Sequence, residues 1–197
     1  MKKGKTFIIC GPSGVGKGTV VAKLLASDPA LYFSVSATTR APRAGEEDGV
    51  HYHFLTREKF EEWIAAGDFL EHAEYVGNLY GTPRIYVDQA MEQGRDVLLD
   101  IEIQGAAQVR EKRPDVVRIY VAPPNWEELE RRLVGRGTED MEKVRSRLAR
   151  GKEEFSAAKD FDYLVINDTV DHAVEELQAI MLAEHCRPVE RTALITQ

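Results

Sequence analysis

ICGPSGVGKGTVV, residues Ile9–Val21, nearly fits the phosphate-binding pattern G-x-x-x-x-G-K-[ST]. Gly11, Gly16 and Lys17 are in place, but Gly18 follows the lysine and the hydroxyl comes one residue later, at Thr19. Glycines at 11, 14, 16 and 18 let backbone N–H groups turn inward and meet an anion without interference from a Cβ. Lys17 adds a point charge for terminal phosphates. Before the loop, TFIIC reads as a buried strand; after it, Val20, Val21, Leu24 and Leu25 form the apolar stripe of a helix, whose N-terminal dipole faces the loop. In the strict pattern the residue after lysine offers its hydroxyl to Mg²⁺. Gly18 has none, so Thr19 meets the metal directly or through water, or serves the α-phosphate instead.

Outward from the loop, five short apolar runs read as strands: Thr6–Cys10, Phe33–Ser36, Val97–Ile101, Val117–Ala122 and Tyr163–Asn167. They are nearly unbroken, as strands covered on both faces should be. Helical patterns at Ala106–Lys112, Asn125–Val134, Met141–Phe155 and Ala173–His185 separate them, which implies an α/β fold with a parallel five-stranded sheet flanked by helices. The block at about 37–83 differs. It opens as a loop, carries two short strand patterns, and holds a helix at Glu58–Ala66 that buries Phe60, Trp63 and Ile64 and stops at Gly67. Thr82 then reads as an N-cap with Pro83 at the first helical position. A second insertion, about 125–152, is dense in charge and has no strand.

The 197 residues suit one domain. There are 26 basic and 33 acidic residues, a net charge of −7, which argues against bulk nucleic-acid binding. No apolar run is long enough for a membrane span, and two cysteines, Cys10 and Cys186, fit a reduced cytoplasmic protein. His51 and His53 flank Tyr52 but lack a third ligand for zinc. Phosphate binding in so acidic a chain must rest on local arginine clusters.

Two such clusters stand out, with two acidic candidates beside them. In SATTRAPRAG, Arg40 and Arg43 lie three apart in a loop fixed by Pro42, a spacing that suits a two-fork phosphate clamp; Tyr52 offers a phenolic hydroxyl. In ERRLVGRGTED, Arg132 and Arg136 lie four apart on one helical face, and Arg147 follows about three turns on. Arginines of this kind stabilise charge in phosphoryl transfer. Arg131, Arg145 and Arg150 read instead as salt-bridged surface. VLLD ends a buried strand in Asp100, the position of an acid that orders Mg²⁺ and its waters, with Glu102 a second candidate. Glu71, among Phe69, Leu70 and Ala73, reads most simply as an exposed strand residue. If buried, it needs donors, and a guanine edge offers N–H groups where adenine would present an acceptor.

The ordered set GPSGVGKGT, SATTRAPR, GVHYHF, FLEHAEYVGNLYGTP, LLDIEIQG, RRLVGRGTED and VIND resembles the guanylate kinase family over nearly the whole chain. The GKGT ending is similar to that of nucleoside monophosphate kinases more widely. The resemblance implies a single domain: a P-loop core at about 4–36, 84–124 and 153–187, a GMP-binding insertion at about 37–83, a lid at about 125–152, and a tail at 188–197. It implies Mg²⁺-dependent transfer of the ATP γ-phosphate to GMP or dGMP by a monomer or small homo-oligomer. ATP would lie on Gly11, Pro12, Ser13, Gly14, Val15, Gly16, Lys17, Gly18 and Thr19, with Asn167 near its base or ribose. Ser36, Glu71 and Thr82 would hold the guanine, and Arg40, Arg43, Tyr52 and Tyr80 the GMP phosphate. Glu102, where the family often has Asp, would lie between the nucleotides with Asp100. Lys17, Arg132, Arg136, Arg147 and Asp100 would be catalytic, and Thr19 and Asp100 would face Mg²⁺. Two alternatives stand beside this: a guanylate kinase-like module that binds partners without catalysis, and a nucleoside monophosphate kinase of other specificity.

Overall fold

The computed structural model of the protein describes residues 3–135 and 141–188. The chain runs through β1 (Thr6–Cys10), α1 (Lys17–Ser27), β2 (Tyr32–Phe33), β3 (Ala37–Thr38), β4 (His53–Phe54) and α2 (Arg57–Ala66). The hairpin β5 (Phe69–Tyr75) and β6 (Asn78–Pro83) follows, then α3 (Arg84–Glu92), β7 (Val97–Asp100) and α4 (Ile103–Lys112). After β8 (Val117–Ala122) come α5 (Trp126–Val134), α6 (Met141–Phe155), a 3₁₀ turn, β9 (Tyr163–Ile166) and α7 (Val170–Glu184).

Five strands make one parallel sheet in the order β2-β7-β1-β8-β9, as the unbroken apolar runs imply. β1 and β8 have the expected bounds. The expected strand Phe33–Ser36 does not exist as such. The chain leaves this sheet after β2 and enters a second one at β3, with Ser34 still donating its N–H to the Leu98 carbonyl at 3.0 Å. An apolar run cannot show that its two ends pair in different sheets. By contact, the chain divides into two compact units: Met1–Ile8 with Ala30–Val117, and Ile9–Pro29 with Arg118–Gln197.

The first unit holds the second sheet, ordered β4-β3-β6-β5. Helix α2 covers one face. Its Thr56 N-cap accepts the Lys59 N–H at 3.2 Å, and Gly67 ends it at φ 72°. Phe60 is buried with Ala37, Phe69 and Leu79, while Trp63 and Ile64 pack on this cluster half-buried. The Phe60 and Phe69 rings stack at 4.2 Å. Strand β5 has a bulge between Phe69 and Glu71. One extra residue there shifts the alternation, so Phe69 joins the α2 core while Glu71 pairs with Thr82 on the other face. β5 lies at the edge of its sheet, and α4 satisfies part of that edge. Gln108 exchanges two 3.1 Å hydrogen bonds with the N–H and carbonyl of His72, and Lys112 donates to the Phe69 carbonyl at 2.9 Å. Pro83 itself occupies the N-cap position of α3, so Thr82 is not a cap: it lies in β6 one residue before that strand's end, and its hydroxyl is committed elsewhere.

In the second unit α1 packs on α7. Val20, Val21 and Leu24 are buried on the first helix, and Ala173, Val174, Leu177 and Met181 on the second. Helices α5 and α6 pack on each other, α5 being capped by Asn125, which accepts the Glu128 N–H at 2.8 Å. Trp126 meets Phe155 edge-on at 5.5 Å and Phe155 meets buried Tyr120 at 6.0 Å, so both tryptophans are packing residues. Among the described residues no helix is long and apolar enough to cross a membrane. Cys10 is buried in β1 and Cys186 is exposed.

Candidate functional site

The second unit holds the glycine-rich loop that precedes and begins α1. Gly16 is the helix N-cap at φ 99°, a left-handed conformation that glycine adopts without steric cost. The Thr19 and Val20 N–H groups both donate to the Gly16 carbonyl, at 3.1 and 3.2 Å, and the Lys17 and Gly18 N–H groups lie ahead of the intrahelical ladder. Thr19 sits in its exposed first turn. Lys17 folds across the loop and donates its ammonium to the Gly11 carbonyl at 2.7 Å.

Two arginines of α5 and α6 reach the same loop. The Arg147 guanidinium donates to the Ser13 hydroxyl. Helix α6 comes close enough there that a Cβ on Gly151 would lie 3.1 Å from Pro12 Cβ. Arg132 donates Nη1 to the Val15 carbonyl at 3.0 Å and Nη2 to the Asn167 carbonyl at 3.0 Å, with Nε on Glu128 at 2.7 Å. Glu128 also takes Arg131, and this pair of guanidiniums, Arg131 first, holds its carboxyl down to about 2. Arg150 pairs with Glu154 at 2.6 Å. Asn167 follows β9, is buried, and donates its side-chain amide to the Val15 carbonyl at 2.7 Å. Helix α5 ends at Val134, and Arg136 lies outside the described residues, as do residues 189–197 of the expected tail.

The first unit gathers a different set. Glu71 is buried, correcting the exposed-strand expectation. Its Oε1 accepts the Thr82 hydroxyl at 2.6 Å, the cross-strand partner that register dictates. Burial pushes its carboxyl above the usual range; Thr82 and the Lys112 charge oppose that shift, and the Glu102 charge adds to it. Glu71 Oε2 faces Gly105 in the first turn of α4, where a Cβ would come within 2.8 Å. A carboxylate has roughly four acceptor positions, so the Thr82 hydroxyl and backbone N–H leave about two of them for a ligand.

Beside it, Arg40 follows β3, Tyr52 precedes β4 and Tyr80 lies on β6 two residues before Thr82. The Arg40 guanidinium lies 5.4 Å from the Tyr52 ring centroid, and the Tyr52 and Tyr80 rings meet edge-on at 6.1 Å. Glu46 accepts Arg40 Nη2 at 2.9 Å and the Arg43 backbone N–H at 2.8 Å. Arg40 first, then Arg43, holds the Glu46 carboxyl down to about 2. The Arg43 side chain is exposed. Ser36 immediately precedes β3, and its carbonyl accepts the His53 N–H at 2.9 Å. Asp100 ends β7 half-buried, and Glu102 is the exposed N-cap residue of α4.

The structure thus brings Arg40, Tyr52 and Tyr80 together, and separately Glu71 and Thr82. Sequence reasoning missed Glu46, Gly105, Gln108 and Lys112. Gly105 stands one residue before the expected helical pattern Ala106–Lys112 and lies inside α4 only because that helix starts at Ile103, so no glycine within a helix was there to signal it. Glu46 stands three residues past Arg43, close enough in a tight loop to pair with it.

The sequence profile of the family described as guanylate kinase matches residues 3–184. A guanylate kinase of Lactococcus lactis subsp. lactis is 52% identical over 186 residues, covering 94% of this chain and 91% of the relative. One of Symbiobacterium thermophilum is 49% identical and covers 99% and 92%. The crystal structure of guanylate kinase from Anaplasma phagocytophilum superposes with a TM-score of 0.74 at 33% identity, covering 95% of this chain and 89% of that one.

Proposed function

Since the chain belongs to the guanylate kinase family, we propose that it transfers the γ-phosphate of MgATP to GMP, giving GDP and ADP. The observation that carries the acceptor's identity is the buried Glu71 carboxylate held by Thr82. Guanine presents N1–H and N2–H₂ side by side and satisfies such a group; adenine presents an acceptor at N1 and would be repelled. Ser36 joins Glu71 and Thr82 at the base. Arg40, Arg43, Tyr52 and Tyr80 take the GMP phosphate, displacing the hold of Glu46 on Arg40. None of these groups addresses the 2′-hydroxyl, so dGMP is accepted as well. The activity serves GMP recycling in purine nucleotide metabolism, in the cytoplasm.

The loop from Gly11 to Thr19 takes the ATP phosphates, and Asn167 belongs to the same donor site. Residues 37–83 act as the acceptor insertion and about 125–152 as the lid. Mg²⁺ enters as part of the MgATP substrate, bound mainly by phosphate oxygens, and then needs only one or two protein oxygens. Thr19 and Asp100 are the oxygens we assign to it, directly or through water.

No general base is required, because the second pKa of a phosphate monoester is about 6 and the attacking oxygen is already anionic. The protein's part is positioning and neutralisation of charge, by Lys17, Arg132, Arg136 and Arg147, with Asp100 and Glu102 beside the reacting phosphates. Steady-state ADP release with GMP and MgATP tests the proposal. Turnover that requires both substrates is expected. GMP binding without turnover would point to a non-catalytic module.

A further inference from the structure

We propose that Asn167 and Arg132 form a clamp on the Val15 carbonyl that fixes which way the Val15–Gly16 peptide of the phosphate loop faces, so that both are positioning residues for the donor's phosphates. The inference rests on the assignment of this loop to the donor triphosphate. It gives Asn167 a part that does not depend on the nucleotide's base.

The Val15 carbonyl accepts Asn167 Nδ2 at 2.7 Å and Arg132 Nη1 at 3.0 Å. Arg132 Nη2 ties the two donors together by bonding the Asn167 carbonyl at 3.0 Å, and Nε is held on Glu128. Every nitrogen of the guanidinium is therefore engaged. Asn167 is pinned independently by its own N–H, which donates to the Ala122 carbonyl at 2.8 Å. Its amide orientation is forced, because the flipped rotamer would set two oxygens face to face. Among the described residues its Oδ1 is buried without a hydrogen-bond partner. Such an orphan costs free energy, and it persists here because the Nδ2–H donor is needed on the other side.

A trans peptide is planar, so the Val15 carbonyl and the Gly16 N–H point in opposite directions. Holding the carbonyl on the clamp aims the N–H away from it. Gly16 makes this control necessary and possible. With no Cβ it could rotate the peptide either way at little cost, and the reversed peptide would present an oxygen to the phosphates. The missing Cβ also makes room for the clamp, since a Cβ there would lie 2.7 Å from Asn167 Nδ2.

The test is calorimetric titration of wild type, Asn167→Ala and Arg132→Lys with MgATP, with inorganic tripolyphosphate and Mg²⁺, and with GMP. A clamp acting through the loop predicts that Asn167→Ala weakens ATP and tripolyphosphate by the same factor, about tenfold for one lost hydrogen bond, with GMP affinity unchanged. Arg132→Lys keeps the charge but replaces a three-nitrogen fork held on Val15, Asn167 and Glu128 by one nitrogen, so it is expected to lose affinity for both donors in parallel. The double variant should lose less than the product of the two single losses. A loss confined to ATP would mean that Asn167 reads the base or ribose and would overturn the clamp, as would unchanged affinity for both donors. If Asn167→Ala also loses GMP, its fold is compromised and Arg132→Lys decides the matter: parallel loss of both donors supports the clamp, and loss of ATP alone, or of neither, overturns it. Wild-type protein that binds neither donor would overturn the assignment of the loop itself.

Discussion

At the scale of single residues, the proposed function turns on the buried Glu71 carboxylate, which is costly to the fold. Glu71→Gln keeps the shape and an acceptor for Thr82 but loses the charge and gains a donor facing guanine. Steady-state kinetics should show kcat/KM for GMP falling on the order of 10²–10⁴-fold, with ATP affinity unchanged. The same variant should stabilise the free protein. Because burial raises the Glu71 pKa, the folded chain keeps this proton at pH values where the unfolded chain has released it. Stability therefore falls as pH rises from the ordinary glutamate value through the raised one, and the penalty is fully present above it. Thermal midpoints should be higher for Glu71→Gln at pH 7–8, the gain vanishing below about pH 4 where wild type is protonated in both states. Equal midpoints at pH 8 would contradict the burial penalty. Gly105→Ala probes the same carboxylate from behind. Its Cβ would press on Glu71 Oε2, so GMP affinity should drop about tenfold or more while titration with ATP gives the wild-type value.

At the scale of elements, the hairpin β5–β6 shows what alternation can and cannot reveal. Its tip is a two-residue turn in which Val76 and Gly77 both have positive φ, 49° and 73°. A β-branched residue is strained there, and Val76 is exposed, so the strain gains it no packing. Val76→Asn should stabilise the protein by about 1 kcal/mol, raising the thermal midpoint by about 2–4 °C. A midpoint at or below wild type would contradict this. The glycine-rich loop, four of the five parallel strands and most helices were legible in the sequence, because each rests on a local pattern: glycine spacing, unbroken apolar runs, a 3.6-residue stripe. The burial of Glu71 was not. It depends on the bulge before it, which changes the phase of the strand, and on α4, which starts 32 residues later in the sequence. The split of Phe33–Ser36 between two sheets was hidden for the same reason, that pairing partners are remote in the chain.

At the scale of the whole molecule, the proposed acceptor residues fall in the unit Met1–Ile8 with Ala30–Val117, and the described donor residues in the unit Ile9–Pro29 with Arg118–Gln197. Substitutions should therefore separate by ligand: those at Glu71 and Gly105 weaken GMP, and those at Asn167 and Arg132 weaken the triphosphate. The most direct test of the central claim is a turnover screen of GMP, AMP, CMP and UMP, each with MgATP, on wild type and Glu71→Gln. Wild type is expected to phosphorylate GMP far faster than the other three, and Glu71→Gln to lose this preference. A wild type that favours another monophosphate, or a Glu71→Gln variant that keeps the preference for GMP intact, would contradict guanine selection by the buried carboxylate.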